Sequence, residues 1–147
     1  MRIHYVNLAP VDNAERDSFN EHNDCTVVAL AVAVGMSYSE AHALLTKLGR
    51  KKCHGFTLRL WLDNQCSIAR MHNRPFTIGD YKVERVRMDR PVTLAKFLRD
   101  FPRGRFICRK RGHVFVVDNG KVMNLWTGAR TRISNLWYVT KLSGGTA

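Results

Sequence analysis

Asn23-Asp24-Cys25-Thr26-Val27-Val28-Ala29-Leu30-Ala31-Val32-Ala33-Val34-Gly35 is the stretch that decides the fold, because a polar loop gives way at a cysteine to an apolar run that a glycine ends. Apolar residues fill every helical face, which predicts over 24–34 a helix buried on all sides rather than an amphipathic one. The Cys25 thiol then falls in the first turn. There, unpaired backbone N–H groups and the positive end of the helix dipole favour the thiolate and lower the thiol pKa. The placement suits a nucleophile.

A candidate base follows in Gly112-His113-Val114-Phe115-Val116-Val117, which puts a histidine at the start of an equally apolar strand. Asn119-Gly120, between two apolar runs, predicts a two-residue type I′ hairpin turn, since both residues accept positive φ. That register pairs Asp118 with Lys121, Val117 with Val122, Phe115 with Asn124 and His113 with Trp126. His113 and Asn124 then share a face, and Asn124 is nominated to orient the imidazole. A one-residue bulge would instead favour Asp118, which otherwise reads as a turn residue on the opposite face. A thiol nucleophile needs a base within reach, and the base needs a third group to fix its tautomer. Cys25, His113 and Asn124 fill those roles in chain order. Oxyanion donors are expected from the backbone N–H of Cys25 and from an upstream amide, Asn20 first and Asn23 second.

Around these motifs the chain reads as helices followed by strands. Ser37 and Glu40 form a capping box for a helix running to Gly49. Residues 50–55 are basic and loop-like, and a third helix is expected over 56–64 with Thr57 as its N-cap. Tyr81-Lys82-Val83-Glu84-Arg85-Val86 alternates as a strand, and Thr93 caps a short helix over 94–100. Strands are expected over 105–109, 113–117, 122–126 and 136–140, with a short one at 3–6. Helices first and an antiparallel sheet second make an α+β domain. It is expected to be a single domain over 1–147, irregular at 1–17 and 143–147.

The chain has 147 residues of which 45% are hydrophobic, enough for one domain with a real core and too apolar for disorder. A formal charge of +12 and a pI near 10.2 draw it toward anionic partners: nucleic acid, an acidic protein or a membrane surface. No helix-turn-helix, zinc-finger or RNP-like pattern accompanies that charge. No stretch has the length of a membrane span, and Met1-Arg2-Ile3-His4-Tyr5 lacks a signal peptide's apolar run, so a cytoplasmic setting is expected. The cysteines at 25, 53, 66 and 108 form no CxxC pair and read as reduced thiols. His22, Cys25, Cys53, His54 and Cys66 lack the paired close spacing of a zinc site, and no metal or organic cofactor is expected. Cys108 reads as core, and Cys53-His54 as exposed or packed loop residues rather than a second dyad. Trp126, Trp137 and Tyr138 could stack nucleobases, but their strand spacing favours core.

The Asn20, Asp24-Cys25 and Gly112-His113-Val114 motifs, with Phe97-Leu98 through Pro102-x-Gly104-Arg105-Phe106-Ile107 and Asp118-x-Gly120, resemble the papain-like cysteine peptidase superfamily. The resemblance is to its bacteriocin leader peptidases and to small papain-fold proteins of bacteriophages, and it covers residues 18 to 128. In the leader peptidases a Gln stands five residues before an Asp-Cys pair; here the position holds Asn20. Thr26 stands where those enzymes carry Gly, and Asn124 where they carry Asp. The resemblance implies a papain-like fold with a buried central helix packed on a C-terminal antiparallel sheet, Cys25 as nucleophile and His113 as base. It implies a phage-encoded thiol peptidase acting on a peptide or protein in the bacterial host cytoplasm. The alternative reading is a catalytically inactive protein of the same fold that binds nucleic acid or an acidic host protein through its basic surface.

Overall fold

The computed structural model describes residues 3–6, 24–51, 56–123 and 130–142, and within them the apolar run after Asp24 forms α1 (Cys25–Val34) with every residue from Thr26 to Val34 buried. Gly35 ends it in the left-handed conformation, φ 65°, and its N–H donates to the Ala31 carbonyl. A Cβ at Gly35 would lie 3.1 Å from Tyr81 Oη, so glycine serves both the turn and a close approach. Both ends of α1 are tied down. At its start the buried Asp24 carboxylate accepts a hydrogen bond from Tyr38 Oη at 2.8 Å. At its end Arg105 Nη1 donates to the Ala33 carbonyl at 3.0 Å, a cation at the negative end of the helix dipole.

Helix α2 (Tyr38–Lys47) opens on the expected capping box, with Glu40 N–H donating to Ser37 Oγ at 3.1 Å and Ser37 N–H to Glu40 Oε1 at 3.2 Å. Helix α3 (Leu58–Met71) corrects the sequence reading of 56–64 in two respects. It runs seven residues further, because Leu58, Leu62 and Ala69 are buried and Cys66 packs half-buried between them, a continuous helical stripe. Thr57 occupies the N-cap position but makes no side-chain cap bond. Helix α4 (Leu94–Asp100) is capped as expected, Lys96 N–H donating to Thr93 Oγ1 at 3.2 Å.

The strands are β1 (His4–Val6), β2 (Thr77–Ile78), β3 (Tyr81–Val86), β4 (Val92–Thr93), β5 (Arg105–Lys110), β6 (His113–Asp118), β7 (Lys121–Met123), β8 (Arg132–Ile133) and β9 (Asn135–Lys141). Seven of them form one sheet in the order β1-β7-β6-β5-β9-β3-β2, and β4 pairs with β8 apart from it. The molecule is a mixed α+β fold. The sheet is antiparallel except at its β1 edge, where β1 runs parallel to β7 and corrects the expectation of a wholly antiparallel sheet formed after the helices. The Asn119-Gly120 turn gives the predicted register: Val117 lies opposite Val122 and Asp118 opposite Lys121, with φ of 48° and 79° at the two turn residues. The pairings proposed for Asn124 and Trp126 lie outside the described residues.

Alternation along the strands feeds two cores. Ile107, Val114, Val116, Trp137 and Val139 face α1, α2 and α3. Phe106, Cys108, Phe115, Val117 and Leu136 face the other way, onto Leu94, Phe97 and Leu98 of α4. The sheet is therefore covered on both faces, which is why 114–117 reads as an unbroken apolar run. Trp137 is fully buried and its Nε1 donates to Asp63 Oδ1 at 3.1 Å, and Cys108 is buried too, so both are core as expected.

Candidate active site

Two elements bring Cys25 and His113 together. Helix α1 lies across β6, with Val114 and Val116 in the core beneath it, so its first residue reaches the end of the sheet where β6 begins. His113 is that strand's first residue. Its ring lies over Phe115, with centroids 6.1 Å apart and planes 10° from parallel, and at the strand's end it stays within reach of the thiol. The imidazole hydrogen-bonds the Cys25 sulfur, and the Val114 backbone N–H donates to the same atom.

Burial by itself pushes the Cys25 thiol pKa up. The His113 hydrogen bond, the Val114 N–H and the charge of His113 together more than offset it, and Asp24 opposes them weakly. The net result is a thiol pKa below the ordinary value, in a half-buried side chain. The other free thiols go the opposite way: burial raises Cys66, whose sulfur sits 3.8 Å from the Val83 carbonyl, and raises Cys108 much further. Of the three cysteines described, Cys25 alone is tuned toward a thiolate.

The thiol and the imidazole open onto a cleft of about 280 Å³. Thr26, Val114, Phe56 and the start of α3 line it, and Arg59 and Arg109 supply its charged groups. Neither arginine was nominated from the sequence. They come from α3 and β5, elements whose adjacency is long-range, and only a fold-level signal could have joined them to Cys25.

Asn124, the proposed orienting residue, and Asn20 and Asn23, the proposed oxyanion amides, lie outside the described residues, as do His22, Cys53, His54 and Trp126. Asp118 stands away from the imidazole at the turn, where its Oδ2 lies 3.4 Å from Arg105 Nη2. Among the described residues no group of three or more His, Cys, Asp or Glu side chains could hold a metal ion, and no single helix is long and apolar enough to cross a membrane. Comparison of the chain with protein-family models, with curated proteins and with solved structures finds no match.

Proposed function

We propose that this chain is a small papain-like thiol hydrolase, of the kind phages encode, which cleaves a peptide or isopeptide bond through an acyl-enzyme on Cys25. The observation that carries the reading is a thiol at the start of a buried helix, hydrogen-bonded to a histidine and lowered in pKa despite its burial. Such a pair is what nucleophilic acyl transfer requires. Cys25 would pass its proton to His113 and attack the carbonyl carbon. As the C–N bond breaks, the imidazolium would return that proton to the leaving amine. Water would then add to the thioester with His113 as base, releasing the acid and restoring the thiol. In this reading Asn124 holds the ring, and the Cys25 backbone N–H with Asn20 or Asn23 binds the oxyanion.

p-Nitrophenyl acetate tests the reading without a known substrate. We expect a burst of nitrophenol equal to the enzyme concentration and an acetyl group on Cys25 by mass spectrometry. Cys25→Ala should abolish the burst, and His113→Ala should slow it by about 10²–10⁴-fold, the usual range for a general base. Acylation confined to lysines, or a burst unchanged in Cys25→Ala, refutes the hydrolase and leaves the basic binding protein as the better reading.

A further inference from the structure

Two helix starts border the cleft that Cys25 lines: α1 begins at the thiol, and the first residues of α3 line the same cleft. Neither N-cap side chain accepts a hydrogen bond from its own helix's N–H groups, and neither helix carries an acidic residue in its first turn. Asp24, the N-cap residue of α1, sets its carboxylate beside that helix's positive end, whereas the positive end of α3 is left uncompensated by local side chains. Arg59 and Arg109 line the same cleft, and among its described lining residues there is no carboxylate. Asn135 Oδ1 accepts from Arg109 Nη1 at 3.2 Å and holds that guanidinium in place. Two buried polar atoms of the lining have no hydrogen-bond partner, Arg59 Nε and the hydroxyl of Thr26, a residue only 3% exposed. A buried donor without an acceptor is costly, and rotation of either side chain toward a bound anion would relieve that cost.

We infer that the substrate of the proposed hydrolase presents a carboxylate beside the bond that Cys25 attacks, seated between Arg59 and Arg109 and within reach of Thr26. The inference rests on the thiol-hydrolase reading for what the carboxylate is attached to. The cleft volume, about 280 Å³, falls just under the usual span of ligand pockets and suits one acidic residue of an extended peptide or the end of a chain. Cys25 serves as the reporter of the field it sits in.

The test compares alkylation of Cys25 by iodoacetate, which carries the carboxylate, with alkylation by neutral iodoacetamide, at a pH high enough to ionise any thiol. The rate ratio at Cys25 should exceed that of a small free thiol by about tenfold and should fall steeply with salt. Arg59→Gln and Arg109→Gln should each remove part of the excess, Arg59→Lys should keep it, and the iodoacetamide rate should stay unchanged throughout. A ratio equal to the free thiol's, or one indifferent to both arginine substitutions, overturns the proposal. Protection of Cys25 by N-acetylglutamic acid amide would place the carboxylate on a side chain, protection by N-acetylalanine would place it at a chain end, and protection by neither would count against the site. Because the ratio is read with the thiol already ionised, a failed hydrolase appears in the acylation experiment and a failed anion site appears here.

Discussion

At the residue scale the decisive contrast lies among three thiols of one chain. Cys25 is drawn toward its anion by His113 and the Val114 N–H, whereas burial holds Cys66 and, more strongly, Cys108 in the neutral form. Of these three, native iodoacetamide labelling should therefore modify Cys25 first, Cys66 slowly and Cys108 only on unfolding, with the Cys25 profile centred below that of a free thiol; peptide mapping of timed samples reads the order. The linkage sign follows from the depressed folded pKa. The thiolate's contribution to stability is absent below the folded pKa, grows as pH rises through it, and is complete above the unfolded value. Labelling of Cys66 ahead of Cys25 would contradict the site as described. The pair was legible in the sequence because each member sits at the start of an apolar element, a local signal that composition alone reveals. Arg59 and Arg109 carried no such signal.

At the scale of elements the legible parts are those with local chemistry. Ser37 with Glu40, Thr93, Gly35 and Asn119-Gly120 each mark a boundary by a hydrogen bond or a positive φ that few residues supply. The second half of α3 was missed because Asn64-Gln65-Cys66-Ser67 is polar enough to read as loop, although its half-buried Cys66 keeps the helical stripe going. The pairs β4–β8 and β1–β7 were missed for another reason: two- and three-residue strands have no period to detect, and their partners are distant in sequence. Asn119 is the residue on which the β6–β7 hairpin most depends. Its Oδ1 accepts from the Gly104 N–H at 2.8 Å, its own N–H donates to the Gly104 carbonyl at 2.9 Å, and its backbone holds φ 48°. Asn119→Ala removes the side-chain bond and strains the turn, and should cost about 1–2 kcal/mol in urea unfolding. A loss no larger than that of an ordinary surface substitution would show that the turn is not clamped.

At the scale of the whole molecule the sheet separates two cores, and α1 is the centre of the larger one. Leu30, with no exposed surface, packs there, so Leu30→Ala should cost about 2–5 kcal/mol, a large part of a net stability of roughly 5–15 kcal/mol. The buried Trp137 gives the readout, since its emission should shift red as its indole leaves Asp63 and meets water. A variant melting within a degree or two of the wild type would mean that α1 is not the centre of the core. The α+β class and the central helix were legible from the order of periodic segments. The covering of the sheet's far face by α4 was not, because seven residues leave too short a pattern to say which surface they lie on.

The sulfur is mounted at the start of a helix whose residues from Thr26 to Val34 are all buried. Asp24 is anchored to Tyr38 just ahead of it, and Arg105 grips the far end of the same helix. Moving the thiol by even a fraction of an ångström would mean shifting a rod enclosed on every side. On the hydrolase reading proposed above, substrates would adapt to the thiol, and any adjustment on the protein's part would fall to Phe56 and the first turn of α3, which line the same cleft.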